Sequence, residues 1–315
     1  MALPGFVKRG RRPVIGLDVG ASAVRAALVA FSGNRPVVQK LGQVALPPGT
    51  VIDGQVVDPP ILTAAVLELR KGLGVRGGDV VLGCEQMRGV VRVVDLPWIP
   101  AKLRQQSLPL LAADKLSMVA EDIVADFDEY GEATDEDGNP IMNGLLAVAS
   151  TQALLTEVQA VEAAGLRVSR IDLSAFALVR SLAADLTRTE PEAIVDIGVH
   201  SALVVIHTGG RPQVVRMSPI ATEADGGRLI ADIQASLNLL TPDGGGTELT
   251  RLAVSGGSAT AEVVERLSQL VRAPVEVESA FRNVELGALK LGSQQLRVMS
   301  ATAAVCVGLA LGEAA

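Results

Sequence analysis

Aromatic side chains are nearly missing from this chain: one Trp, one Tyr and five Phe stand among 315 residues, 2% of the total. Its core must therefore be packed by aliphatic side chains, drawn from an apolar share of 49%. Cysteine is as scarce. Cys84 and Cys306 lie far apart in apolar runs, the pattern of buried reduced thiols, which excludes a disulfide framework and points to a reducing compartment. The two histidines, His200 and His207, fall seven apart across one strand and face opposite sides, so they make no metal pair. Positive charge is not in excess. A net charge of −7 with acids and bases interspersed argues against a nucleic-acid scaffold. Long apolar runs are absent too: the longest late one, Val298 to Leu311, falls short of the ~20 residues that span a bilayer. The basic start, residues 1–12, has no apolar stretch behind it and is no signal peptide. Its Lys8, Arg9, Arg11 and Arg12 either form a solvated tail or touch an anionic membrane surface.

What is there begins with Pro13 to Phe31. The apolar run Val14-Ile15-Gly16-Leu17 delivers an acid at Asp18, a Gly20-Ala21-Ser22 turn follows, and Val24 to Phe31 returns. This reads as strand, turn, strand. Gly20 suits a turn whose N–H groups converge on an anion, and Asp18 suits hydrated Mg²⁺. Arg25 offers a cation to phosphate oxygens. The alternative is an ordinary buried hairpin, since Asp-x-Gly is common turn chemistry. A second copy of the pattern follows at Ala193 to Gly198, with Asp196, a Val199-His200-Ser201 turn and a return strand at 202–206. Later a strand at Leu252 to Ser255 enters the turn Gly256-Gly257-Ser258, and a helix at 259–271 would place its amides near an adenosine.

Between these motifs the pattern predicts a third strand at 37–46, two short strands about Asp53-Gly54, and a helix capped by Asp58 and closed by Gly72. Strands at 79–84 and 89–96 are expected to pair with each other. A helix over 102–119 is interrupted or bent at Pro109, and strands at 123–130 and 145–150 flank an acidic loop. That loop, 132–139, lacks calcium spacing, because the twelfth residue from Asp135 is Leu146; it reads as a solvated turn. A helix at 151–164 ends at Gly165, a strand at 168–173 follows, and then a helix at 174–186. In the second half a strand at 213–218, a helix to about Leu240 and a mobile glycine loop at 241–247 complete the pattern.

Asp…Asp…Gly-Gly in this order, each after a strand, resembles the actin-like ATPase superfamily. The fold implied is α/β, an actin-like (ribonuclease H-like) two-domain fold. Within it the chain is similar to the PilM family of type IV pilus assembly. The matching pieces are 16–25, Leu46-Pro47-Pro48-Gly49-Thr50-Val51-Ile52-Asp53-Gly54, Leu96-Pro97, Asp172 to Leu178, Asp196-Ile197-Gly198, Ser255-Gly256-Gly257 and Gly308 to Leu311. The resemblance covers about residues 13–312. It implies a first half over 13–185 with an inserted subdomain at about 44–143. A second half follows over 186–299, and a C-terminal helix over 300–315 packs on the hinge or the first half. The sequence departs from the family at Arg25, where lysine is usual, and at Ala202, where threonine is usual. The glycine-rich 242–246 also replaces an acidic-plus-lysine helix.

The resemblance further implies ATP and Mg²⁺ in a cleft between the halves. Asp18 and Asp196 would hold the metal through water. Gly20, Ala21, Ser22 and Arg25 would meet the phosphates from one side, and Gly198, Val199 and His200 from the other. Gly256, Gly257 and Ser258 would take the adenosine side. Asp172, the candidate catalytic acid near the hinge, either orients an attacking water or caps the helix after it. The implied role is a cytoplasmic ATP-binding scaffold under the inner membrane. It would bind the N-terminal cytoplasmic peptide of a PilN-like membrane protein in a groove beside the inserted subdomain and link pilus motor ATPases to the envelope. Turnover is expected to be slow or absent. The rival readings are a small-molecule kinase of the superfamily and an FtsA-like division protein. Trp98 either anchors the peptide at the surface or fills the inserted subdomain's core.

Overall fold

The computed structural model describes residues 12–84, 90–116, 119–220, 226–238 and 249–312. Most of the basic tail, Asp225, the glycine loop at 241–247 and residues 313–315 lie outside the described residues. In chain order the elements begin with β1 (Val14–Val19), β2 (Ala23–Ser32), β3 (Arg35–Ala45), β4 (Val51–Ile52), β5 (Gln55–Val56), α1 (Pro59–Gly72) and β6 (Asp79–Cys84). Then come β7 (Val90–Pro97), α2 (Ala101–Leu116), β8 (Ile123–Thr134), β9 (Pro140–Ser150), α3 (Thr151–Ala163), β10 (Arg167–Leu173) and α4 (Ser174–Leu182). The second half holds β11 (Glu192–Ile197), β12 (Ser201–Thr208), β13 (Arg211–Pro219), α5 (Gly226–Asn238), β14 (Arg251–Ser255), α6 (Ala261–Leu270) and β15 (Val275–Val277). It closes with β16 (Glu285–Leu286), α7 (Ser293–Thr302) and α8 (Ala304–Leu311).

Two sheets carry the fold. The first runs β10-β6-β1-β2-β3-β16 and the second β13-β12-β11-β14-β15. Each is an antiparallel meander of three strands extended on one side by two parallel strands, and the first sheet gains β16, parallel to β3, on the other side. Local chemistry sets the ends of the elements. Asp53 and Gly54 both take positive φ, 51° and 70°, which makes the tight turn between β4 and β5. The Asp58 carboxylate accepts from the Ile61 amide at 3.1 Å and starts α1, which Pro59 and Pro60 favour. Gly165 follows α3 at φ 82°, a conformation that costs a residue with a Cβ.

The layers follow from which faces are apolar. On the outer face of the first sheet, α1 and α3 cover Ile15, Leu17, Val24 and Leu82. On the outer face of the second, α5 and α6 cover Val195, Val204 and Leu252. Between the sheets a shared core joins Ala27, Val29 and Val81 to Ile194, Val205 and Ala253 through α4 and α8. Glycine lets these two helices approach. A Cβ on Gly308 would overlap the Ala177 carbonyl oxygen of α4, and one on Gly16 of β1 would overlap the Cys306 carbonyl oxygen of α8. α7 and α8 meet at 69°, a break that the expected single C-terminal helix did not contain.

The structure corrects two expectations about the inserted subdomain. Strands β6 and β7 do not pair. β6 lies inside the first sheet between β1 and β10, whereas β7 pairs with β9 in a separate sheet ordered β7-β9-β8, covered by α2. The expected bounds of about 44–143 therefore begin too early, since α1 and β6 belong to the first sheet's layers, and end inside β9. β8 and β9 are longer than expected and meet in the acidic turn, where Asp135 accepts from the amides of Asp137 at 3.0 Å and Asn139 at 2.7 Å. α4 stops at Leu182, short of 186.

The α4–α8 crossing yields a test. Gly308→Val should destabilise the protein by about 1–3 kcal/mol through overpacking, read as a lower urea midpoint. Gly131, with nothing within 4 Å of a Cβ, should accept alanine with little change.

Candidate functional site

The two hairpins deliver their acids to one place. In the first, the Gly20 amide donates to the Ala23 carbonyl at 3.1 Å; in the second, the Gly198 amide donates to the Ser201 carbonyl at 2.8 Å. The same closing bond thus follows Asp18 and Asp196. These glycine amides are engaged within their turns, so neither points at an anion as expected. Nor does Gly20 have a positive φ. A Cβ there would stand 3.3 Å from an Arg25 guanidinium nitrogen, and room for that side chain is the reason for glycine. Ala21 and Ser22 are half-buried, while Val199 and His200 are exposed.

Asp18 pairs in register with Arg25 across the hairpin, and their charged groups lie 3.7 Å apart. Burial pushes the Asp18 carboxyl up, against the pull of Arg25. Asp196 is raised to about 6, first by burial and then by the field of Asp18, while a hydrogen bond from Ser255 and the charge of Arg25 oppose this. Ser255 stands in register with Asp196 on the neighbouring strand β14. Arg25 Nε is buried without a hydrogen-bond partner. Two carboxylates that feel each other and an unsatisfied guanidinium N–H form a site that fits a phosphate oxygen and a hydrated cation.

The Gly256 turn closes this site from the side of the second sheet. Gly256 has φ 99°, and a Cβ there would overlap the Ile197 backbone. Its amide donates to the Ala301 carbonyl at 2.8 Å, and the Ser258 amide to the Ile197 carbonyl at 3.0 Å. Thr260 caps α6 by accepting from the Val263 amide at 3.3 Å. These amides are therefore engaged, and Gly257 packs against Thr302.

Asp172 stands elsewhere. It is in register with Gly83, two strands from Asp18, or about 10 Å by strand spacing. Its Oδ2 accepts from Arg170 at 2.5 Å and from Arg180. The same arginines donate to the Gly312 carbonyl at 3.2 Å and the Gly308 carbonyl at 2.9 Å. Asp172 thus anchors two cations at the C-terminal end of α8, where free carbonyls favour positive charge. Glu157 of α3 was missed by the sequence reading. It is buried and raised to about 8, by burial and by Asp18. Its signal was its spacing, three and four residues before buried Ala160 and Val161.

A second concavity lies beside the inserted sheet. This groove, about 520 Å³, is lined by β7, β8 and β9, by Leu173 and Phe176 around the start of α4, and by Leu203, Val215 and Met217 of the second sheet. Hydrogen bonds tie the inserted sheet to that sheet around Tyr130. The Tyr130 hydroxyl donates to the Pro212 carbonyl at 2.5 Å, and Arg211 donates to the Tyr130 carbonyl at 3.1 Å. Trp98 lies outside the groove lining, 43% exposed, with its indole N–H 3.3 Å from Glu132.

The fold is similar to that of known proteins. A sequence profile described as type IV pilus assembly protein PilM matches residues 16–215. Among solved structures, a chain of a PilM–PilN type IV pilus biogenesis complex is similar at 21% identity and a TM-score of 0.78, covering 96% of this chain and 98% of that one. The cytoplasmic domain of EpsL, an inner-membrane component of the type II secretion system of Vibrio cholerae, is similar at 12% identity and TM-score 0.51, covering 96% and 94%. The ethanolamine utilization protein EutJ from Carboxydothermus hydrogenoformans is similar at 13% and 0.51, covering 94% and 88%. The fold is the actin-like ATPase fold with an inserted subdomain.

A group whose native pKa is raised contributes stability that is present below its unfolded value and lost as pH rises through the folded one. Asp196→Asn should therefore raise the melting temperature relative to wild type above pH 6, with the gain vanishing below pH 4. Glu157→Gln should behave alike, with its gain complete only above pH 8. Thermal melts across pH 3.5–9 check both.

Proposed function

The chain belongs to the type IV pilus assembly protein PilM family, and from that premise we propose that it is a nucleotide-binding scaffold holding the cytoplasmic N-terminal segment of a PilN-like inner-membrane protein. The observation that carries this reading is the groove, whose walls come from the inserted sheet and from both main sheets. Grooves between packed units are common places for extended peptides. The PilM–PilN complex supports the choice of partner, because one of its chains shares this fold along nearly its whole length. Among the described residues no single helix is long and apolar enough to cross a membrane; contact with the membrane would come through the partner. Linkage to pilus motor ATPases belongs to the same proposal.

Asp18 and Asp196 would face a hydrated Mg²⁺, and the unsatisfied Arg25 Nε would meet a phosphate oxygen, with Ala21, Ser22, Val199 and His200 in the turns beside them. When bound, Mg²⁺-ATP would supply a polyanion and a cation that offset the unsatisfied, buried guanidinium N–H and the two carboxylates. Among the described residues no cluster of three or more acids, histidines or cysteines could hold a metal ion alone, which suits an ion that keeps its waters. The role of the nucleotide is then to set the spacing of the halves. A kinase would need a base in the cleft, and Asp172 is held by Arg170 and Arg180 instead.

Calorimetry should give Mg²⁺-ATP binding that weakens by more than ~10-fold in Asp18→Ala, the cost of one charged contact. Unchanged affinity in both Asp18→Ala and Asp196→Ala removes the nucleotide part. The partner peptide should protect amides of β7, β8 and β13 from hydrogen exchange. Protection confined to α5 and α6, or no binding at micromolar concentration, would sink the scaffold reading.

A further inference from the structure

The inserted sheet presents two different faces. Ala125, Phe127, Leu146 and Val148 pack toward α2. The alternate residues point into the groove, and the strand registers arrange them in rows: Val91–Ala147–Asp126, then Val93–Leu145–Asp128. Each row runs from an apolar side chain on β7, across β9, to a carboxylate on β8. Asp126 and Asp128 both line the groove and both are exposed. Large aliphatic groups are left open along the same surface, with Val124 42% and Ile171 38% exposed. An apolar floor with an acidic edge is the result.

We infer that Asp126 and Asp128 hold a basic side chain of the extended segment that occupies the groove, and so select for that charge. This rests on the reading of the groove as a peptide site. The two carboxylates alternate on one strand, about 6.8 Å apart, so one long cationic side chain reaches both, or two basic residues at alternate positions take one each. Among the described residues neither acid forms an ion pair. The nearest cation in effect is Arg211, whose guanidinium donates to the Tyr130 carbonyl and lies 5.6 Å from the Tyr130 ring centre. Burial and the neighbouring Asp126 push the Asp128 carboxyl up against the pull of Arg211, and an incoming cation offsets the repulsion between the two acids. Arg92 also lines the groove, but on β7, in register with Leu146 and so across β9 from the strand that carries the two acids. Arg216 lines a different wall, on β13. A carboxylate pair beside apolar strands complements an aliphatic segment bearing a guanidinium or ammonium group.

The test uses the full chain and the N-terminal cytoplasmic segment of its PilN-like partner, made as a peptide labelled at its C-terminus. Three versions are titrated by fluorescence anisotropy: native, N-acetylated, and one with every arginine replaced by citrulline and every lysine by norleucine. Neutralised side chains should weaken binding to wild type about 10-fold, and acetylation should not. In Asp126→Asn/Asp128→Asn, and in part in Asp126→Asn alone, that difference should shrink below about 2-fold. The neutralised peptide should bind the double variant as it binds wild type, which shows the groove intact. Equal binding of the native and neutralised peptides, a loss that follows acetylation instead, or a protected segment with no basic residue overturns the inference. If no version binds wild type, the groove reading falls as well.

Discussion

The close crossing of α4 and α8 is the contact on which the remaining geometry rests. α8, the last helix of the second half, lies under β1, β2 and β6 of the first sheet; α4, the last helix of the first half, reaches β11, β12 and β13 of the second. Each half thus lends a helix to the other's core. The exchange works only at backbone distance, which is why Gly308 faces the Ala177 carbonyl and Gly16 faces that of Cys306. In a chain with 2% aromatic residues, such interlocking of small side chains replaces what large rings do elsewhere. The cations on Asp172 then fix the C-terminal end of α8.

That interlock positions a cluster of acids the fold would be more stable without. Asp18, Asp196 and Glu157 are all pushed up by burial, and Asp18 raises the other two further. One guanidinium, Arg25, acts on Asp18 and Asp196, with an N–H left unsatisfied. Burying like charge around one partly satisfied cation costs free energy unless a ligand completes the set. Such clusters concentrate at functional sites. The thiol of Cys306, also pushed up by burial and by Asp18, marks how far that field reaches into α8.

Much of this was legible from local pattern. The hairpin at Asp18 and its copy at Asp196 have strands, acids and turns where periodicity places them, and the Asp58 cap needs only its own neighbours. What was not legible depended on partners distant in sequence. The run at 79–84 and that at 90–97 look alike as apolar strands, yet one is interior to the first sheet and the other belongs to the inserted sheet. Only the two-fold correspondence of the sheets separates them: α3 follows β6 as α6 follows β14, and the inserted strands stand in between. The role of Asp172 was hidden for a similar reason. Its partner Arg180 lies within reach in sequence, but the carbonyls both arginines serve arrive from the chain's far end. Gly20 invited a conformational explanation; the answer was space for Arg25.

The groove and the acid cluster share α4. Phe176 lines the groove, and Ala177, next to it, receives Gly308 at the crossing. The groove also takes walls from both sheets, with Tyr130 bridging from the inserted sheet to Pro212. Any ligand that fixes the spacing of the halves through Asp18 and Asp196 therefore also fixes the distance from the inserted sheet to β13. Were binding at the acid cluster to change affinity in the groove, linkage would make the effect reciprocal. The contact that the two places share is the α4–α8 pair, packed at backbone distance.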